Sequence, residues 1–324
     1  MHQFKFITHD IRDAYFNLAS EEYLLKHTDG FYFYLWINNP AVIVGINQNT
    51  IEEVNLAYTD ANNVKVVRRL TGGGAVYHDG GNLCYTVIAP YIEGEDHYKK
   101  FTAPVIEYLN ELGVKAEFSG RNDIVVNGKK ISGNAQTVHN GKIMHHGTLL
   151  FDANLDGLKN ALIPNKLKMQ SKGIKSIRAR VTNIKEHLSL DLDIMAFKKG
   201  LEQKLLQFCS PYEFSNSDKA KISALVANKY STYEWNVGYS PKSENTFTEK
   251  FEFGIIKIDF DIKEGVMQNV KISGDFFSKQ DISILAQKLN GTIFSKSAVL
   301  ESLSEVDKFI QGANATEIVN AMFC

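Results

Sequence analysis

Hydrophobic residues in the first ninety positions gather in short dense runs. FYFYLWI (31–37), AVIVGI (41–46), VKVVRR (64–69) and NLCYTVIA (82–89) are rich in aromatic and β-branched residues, and each is bounded by Gly, Asn, Asp or Pro. That pattern predicts strands. KIMHHGTLLF (142–151) reads as another strand. Helical spacing appears over 12–27, with Leu18, Ala19, Leu24 and Leu25, and over 97–113, where Gly113 supplies a C-terminal cap. Further helices are expected at 193–209 and 218–229. Strands joined by several hairpins and interleaved with helices predict an α+β fold of mixed sheets with flanking helices, not strict βαβ repetition.

SPKSENTFTEK (240–250) has few large apolar groups and is expected to be a linker. FEFGIIKIDFDI and EGVMQNVKISG then predict a hairpin, followed by two or three helices. The expected division is a first domain at 1–246 and a small α+β domain at 247–324.

The segment IVVNGKKIS carries the sharpest local signal. Asn-Gly between extended runs predicts a two-residue type I′ turn. Regular pairing would then set Val126 against Lys129, Val125 against Lys130 and Asp123 against Ser132. Side chains alternate faces along a strand. Ile124, Val126, Lys129 and Ile131 would share one face, and Asp123, Val125, Lys130 and Ser132 the other. Lys129 lies beside the turn and can reach solvent. Lys130, with Asp123 diagonal to it, is the better site candidate. An ordinary ion pair on a solvated hairpin is the alternative, and such a pair contributes only about 0–1 kcal/mol.

RRLTGGGAVYHDGGN (68–82) runs from two arginines into three glycines. Glycine backbone can approach an anion closely, and an arginine fork suits carboxylate or phosphate. The stretch matches neither a Walker A motif nor GxGxxG. An anion site and a plain glycine-rich connection both fit it. His145 and His146 are neighbours on a predicted strand, so their side chains point to opposite faces and poorly suit a shared metal. Cys84 sits mid-strand and is expected in the core.

The 324 residues are 44% hydrophobic and 23% charged, with a net charge of −1, so no global charge drives binding to nucleic acid or anionic membrane. From Gly157 to Lys185 there is no acidic residue, while lysines and arginines are frequent. That suits a polyphosphate or an acidic protein partner, or else a solvated loop. The segment lacks the interleaved aromatics expected of a nucleic-acid site. Cys84, Cys209 and Cys324 form neither a disulfide framework nor a CxxC site, which fits a reducing cytoplasm. The amino-terminal sequence lacks a signal-peptide core, and no run is long enough to span a membrane.

RRLTGGGAVYHDGGN, GRNDIVVNGKKISGNAQ, HHGTLLF and SIRARVTNI, in this order, resemble the lipoate–protein ligases of the lipoate/biotin ligase superfamily. The likeness runs from NLASEEYLL and VIVGINQN to YEWN and beyond. It implies a catalytic domain like those of biotin ligases and class II aminoacyl-tRNA synthetases, with a small accessory domain that swings between reaction steps. The implied reaction uses ATP and Mg²⁺ to convert lipoate to lipoyl-AMP, then moves the lipoyl group to a lysine of an acceptor. Implied acceptors are lipoyl domains of 2-oxoacid dehydrogenases and the glycine-cleavage H protein.

By the same resemblance, Lys130 is the catalytic lysine and contacts both substrates. Arg69, Gly74, Ala75, Val76, Tyr77, Asn122 and Asp123 would bind ATP, with Asp123 near the metal. Arg69, Gly73, Gly74 and His146 would line the lipoate site. Lys172, Gly173 and Arg180 would belong to a loop covering the adenylate. The amides of Gly72–Gly74 could add donors, and an apolar slot for the lipoyl chain is expected between the glycine-rich strands and the first helix. Rival readings are an ATP-independent lipoyl or octanoyl transferase, a biotin ligase, and a non-catalytic nucleotide- or protein-binding module.

Overall fold

A computed structural model describes residues 4–163, 181–238, 245–263 and 265–323. Its strands are β1 (Phe4–Thr8), β2 (Tyr32–Ile37), β3 (Ala41–Val44), β4 (Lys65–Arg68), β5 (Val76–His78), β6 (Asn82–Pro90), β7 (Ala116–Ser119), β8 (Asp123–Val126), β9 (Lys129–His139), β10 (Lys142–Leu150), β11 (Cys209–Pro211), β12 (Asn245–Phe251), β13 (Gly254–Lys263) and β14 (Val266–Gly274). Eight form one sheet in the order β11-β1-β2-β6-β10-β9-β8-β7. β1 is parallel to β2 and β11, and the rest of that sheet is antiparallel. A second sheet has the order β4-β3-β5, and a third β12-β13-β14.

The large sheet is covered on both faces, which explains why its central strands read as unbroken apolar runs. Every residue of β2 is buried. Phe33, Leu35 and Ile37 enter one core with Phe101, Val105, Phe197 and Leu201 of helices His97–Glu111 and Ile194–Leu205. Tyr32, Tyr34 and Trp36 face the other core, with Leu18, Ala19, Leu24 and Leu25 of helix Ala14–Lys26. The Asp13 carboxylate caps that helix by accepting from the amides of Tyr15 and Phe16. This helix also buries Asn17, Ser20, Glu21 and Glu22, so it is enclosed on all sides rather than amphipathic. Among the described residues no helix is long and apolar enough to cross a membrane.

A separate core joins β13 and β14 to the terminal helices through Ile256, Ile258, Ile272, Leu285, Leu289, Val306 and Ile318. Two expectations change here. The polar stretch expected as a linker is strand β12 from Asn245 onward: each of its residues pairs with β13, and Phe247 is partly buried between the exposed Thr246 and Thr248. Four helical segments follow the hairpin rather than two or three; the additional one, Val306–Phe309, is a single turn.

The two lobes meet at the glycine-rich segment. The Gly73 amide donates to the Phe276 carbonyl at 3.3 Å. A Cβ on Gly72 would fall 2.4 Å from that same oxygen. Arg121 donates to the Phe253 carbonyl at 3.3 Å and stacks its guanidinium 4.7 Å from the Phe277 ring centre.

Candidate active site

The Lys130 hairpin forms as the Asn-Gly pair demands. Asn127 and Gly128 have φ of 50° and 73°, the left-handed pair of a type I′ turn. Val126 opposes Lys129 and Val125 opposes Lys130 as expected, but the register then shifts: Ile124 pairs with Ser132 and Asp123 with Gly133. β9 takes one extra residue at Ile131, a β-bulge. Ile131, Ile124 and Val126 all enter the large core.

The expected shared face is therefore broken. Asp123 and Lys130 still meet, with Nζ 2.7 Å from Oδ1. Ser132 does not join them: it is fully buried, and its hydroxyl accepts from Asn134 Nδ2 at 3.3 Å. Gly133 provides the room, since a Cβ there would lie 2.7 Å from the Lys130 ammonium. Lys129 is exposed, as expected. It borders a cavity of about 400 Å³ shared with Asn154, Thr182 and Glu186. Thr182 also donates its amide to the Lys130 carbonyl at 3.0 Å. Lys172, Gly173 and Arg180 lie outside the described residues.

Both arginines at the head of the glycine-rich stretch are buried. Arg68 donates to the carbonyls of Gly45 and Gln48 and to Thr50 Oγ1. Arg69 donates to the carbonyls of Ile43 (3.1 Å), Gly72 (2.6 Å) and Gly74 (3.0 Å) and to Thr71 Oγ1 (2.9 Å). Burial lowers its pKa to about 10, with Glu21 opposing and Arg68 adding to the drop, so the guanidinium keeps its charge at neutral pH. In this conformation Arg69 shapes the turn from inside. Gly73 has φ of 91°, which a side chain would strain. Ala75 and Tyr77 pack with Val42 and Val44, and Val76 packs on the opposite core with Ile43.

His145 and His146 point to opposite sides of β10, as alternation requires. His145 is fully buried against Gln136 and Tyr85, and burial holds its imidazole well below the usual range, with His146 adding to the shift. His146 joins a directed chain. Its Nδ1 donates to Glu21 Oε1 at 2.9 Å. Its Nε2 lies 2.8 Å from Thr71 Oγ1, and Thr71 accepts from Arg69 Nε. From the other side Thr86 donates to Glu21 at 2.6 Å and accepts from Trp36 Nε1 at 3.0 Å. A carboxylate only accepts, so both chains end at Glu21.

The structure thus forms two clusters. One holds Asp123 and Lys130; the other joins Glu21, His146, Thr71 and Arg69 to the glycine-rich turn. Phe277 packs on the glycine-rich turn: its ring is 3.2 Å from where a Cβ of Gly73 would sit, and it carries the Arg121 stack.

Residues 13–206 match the lipoyl protein ligase A/B catalytic domain, and residues 240–322 match the bacterial lipoate protein ligase C-terminus. Lipoate–protein ligase 1 of Staphylococcus aureus is 45% identical over 311 residues, covering 94% of this chain and 95% of its own. The chain belongs to the lipoate–protein ligase family. The lipoate–protein ligase LplJ of Bacillus subtilis is 42% identical, covering 92% of each chain. Among solved structures, P. falciparum LipL1 in complex with lipoate superposes with a TM-score of 0.81 at 25% identity over 99% of both chains. A lipoate–protein ligase A bound with ATP gives 0.63 at 26% identity, over 74% of this chain and 99% of that one. The bipartite lipoate protein ligase of Thermoplasma acidophilum, studied with its E2 lipoyl domain, gives 0.66 at 26% identity, over 76% of this chain and all of that one.

For this lipoate–protein ligase, sequence reasoning singled out Lys130, Asp123, Arg69 and His146 but missed Glu21, Thr71 and Asn134. The available signal for Glu21 was its spacing, three after Leu18 and four before Leu25 on one helical face: a carboxylate there must find donors if that face is enclosed.

Proposed function

We propose that this chain performs ATP-dependent lipoylation through Lys130. The observation that carries this reading is the Asp123–Lys130 pair at 2.7 Å, on a hairpin inside the segment that matches the ligase catalytic domain. Relatives solved with lipoate and with ATP support the two substrates.

In the first step a lipoate carboxylate oxygen attacks the α-phosphorus of ATP. An O–P bond forms, the α–β bridge breaks, and pyrophosphate leaves. Both reactants are anions, so their repulsion is the main electrostatic obstacle. At 4 Å one cation offsets about 4 kcal/mol per charge at an effective dielectric near 20. Lys130 is half exposed and extends over Gly133, with its nitrogen free to move from Asp123 to an incoming anion. Preorganised charge helps most as negative charge builds in the transition state. Arg69 acts from beneath, holding the carbonyls of Gly72 and Gly74 and so the course of the turn. The Gly73 amide, here on Phe276, becomes a donor for the nucleotide when the small lobe moves away.

In the second step the acceptor's lysine amine attacks the lipoyl carbonyl carbon. An amide forms, the proton leaves the nitrogen, and AMP departs with the electron pair. Lys130 stabilises the carbonyl oxygen. Mg²⁺ fits Asp123 as a single carboxylate beside nucleotide phosphates, the usual way this ion is held, and bound there it would neutralise phosphate charge. Among the described residues no group of three or more potential ligands stands ready to hold it without nucleotide. The acceptor is a lipoyl domain of a 2-oxoacid dehydrogenase, with the glycine-cleavage H protein a further acceptor, and the work takes place in the cytoplasm.

Acyl transfer through Cys84 or Cys209, the cysteines among the described residues, is disfavoured. Cys84 and Cys209 are both buried, and burial raises both thiols, Cys209 to about 11. A thiol held neutral is a poor nucleophile. The deciding experiment is mass spectrometry of a lipoyl domain incubated with enzyme, ATP, Mg²⁺ and lipoate. A single lipoyl addition at one lysine is expected only when ATP is present. Modification without ATP, or none with it, rejects the reading.

A further inference from the structure

Asp123 is the first residue of β8, where the ladder begins: it is the last position paired with β7, at Ser119, and with β9, at Gly133. On one side the ladder is interrupted by the bulge between Ile124 and Val125. On the other the chain turns through Gly120, with φ of 62°. Beyond this end of the ladder the chain is tied down by Asn134, 3% exposed on β9. Its Nδ2 donates to the Asn122 carbonyl at 3.0 Å, and its backbone amide donates to the same oxygen at 3.0 Å. The Asn122 side chain returns the contact, donating to the Asn134 carbonyl at 2.6 Å. Asn134 is itself oriented, because the Tyr85 hydroxyl donates to its Oδ1. Gly147 pairs with Asn134 across β10, and a Cβ there would lie 2.1 Å from that Oδ1.

We propose that Asn134 is a positioning residue: oriented by Tyr85, it clamps the backbone at Asn122 and so sets the Asp123 carboxylate against the Lys130 ammonium. This rests on the role given to Lys130 above. Asn134 touches neither charge. It acts through the main chain that enters β8, and the missing side chains at Gly133 and Gly147 leave space for Lys130 and for the clamp. A displacement of about 1 Å at a reacting group can lower a rate about 10²-fold, so a residue that fixes Asp123 should act on kcat.

The test uses Asn134→Ala, Asn134→Asp and Tyr85→Phe. Asn134→Asp keeps the acceptor for Tyr85 and the backbone amide bond to Asn122 but loses the side-chain donor to Asn122. Tyr108→Phe is the control: it removes another buried hydroxyl of the same domain, one donating to the Phe197 carbonyl, away from the site. Lipoate-dependent ATP–pyrophosphate exchange should show kcat lowered about 10–100-fold in both Asn134 variants, with the lipoate KM changed less than about 3-fold. Tyr85→Phe should give a smaller fall in the same direction, and Tyr108→Phe none. Hydrogen exchange over residues 119–126 should be faster in the Asn134 variants and unchanged in the control.

A folded Asn134→Ala enzyme with kcat within about twofold of wild type overturns the inference. So does a fall that Tyr108→Phe reproduces. If Asn134→Ala does not fold, Asn134→Asp and Tyr85→Phe decide by the same criteria. If wild type shows no lipoate-dependent exchange, the functional reading fails separately. Hydrogen exchange then decides the clamp: faster exchange supports it, and unchanged protection overturns it.

Discussion

Glu21 Oε1 lies 2.9 Å from Nδ1 of His146, with the carboxylate almost fully buried in the helix that crosses behind the sheet. Through His146 and Thr71 this contact reaches Arg69, and through Arg69 it reaches the carbonyls of the glycine-rich turn. The turn's shape is therefore set by a residue on the first helix, far earlier in the chain.

Glu21→Ala would leave His146 Nδ1 and Thr86 Oγ1 without an acceptor inside the core. Each unsatisfied buried donor costs about 1–3 kcal/mol. The expected loss is about 2–6 kcal/mol, with a smaller one for Glu21→Gln, which keeps an acceptor oxygen. Chemical denaturation of the three proteins checks the ranking; equal stability of Glu21→Ala and wild type would remove Glu21 from the network.

Lys130 is separable from folding. Its pair with Asp123 is partly exposed, so Lys130→Met should change stability by no more than about 1 kcal/mol. Lipoate-dependent pyrophosphate release should fall by about 10²-fold or more. Near-normal release from a folded variant would reject the role of the ammonium.

Gly72 is a contact point between the lobes. A Cβ at this position would lie 2.4 Å from the Phe276 carbonyl oxygen and 3.1 Å from the Phe277 Cα. Gly72→Ala should force the small lobe off the turn, and small-angle scattering should show a larger radius of gyration than wild type. An unchanged scattering profile would mean that the lobe shifts locally and stays seated.

Imidazoles depressed by burial, His9 and His78 among them, make stability fall on the acid side of neutrality. Burial lowers His9 to about 4, with Lys198 adding to the shift, and burial lowers His78 to about 3, with His146 and Arg69 adding to it. The unfolded chain takes up these protons near pH 6.5. Both groups depress folded-state protonation, so their contribution is complete above about pH 6.5 and declines as pH falls toward about 4 and 3. His9→Gln should flatten the upper part of this slope in urea midpoints measured across that range. His9 Nδ1 accepts from the Ile11 amide and its Nε2 meets the Tyr34 hydroxyl, so the variant also reports how far those contacts support the amino-terminal turn.

Short-range chemistry made much of this protein legible. The strands around FYFYLWI and NLCYTVIA, the Asn-Gly turn, the opposite aims of His145 and His146 and the exposure of Lys129 beside the turn follow from neighbouring residues. Backbone dihedral preferences and alternation act over a few positions, so they survive without knowledge of the rest of the chain.

What lay beyond reach depends on residues distant in sequence. The bulge at Ile131, which moved Ser132 into the core and set Asp123 opposite Gly133, exists because β9 must satisfy the large core and the hairpin turn together. The roles of Glu21, Thr71 and Asn134 arise from hydrogen bonds across three elements. The turning inward of Arg68 and Arg69 depends on carbonyls that only the folded chain brings within reach. Sequence fixed the kinds of group available and their local direction; the fold decided which buried donor meets which acceptor, because a buried polar group must be paired with whatever the completed core places beside it.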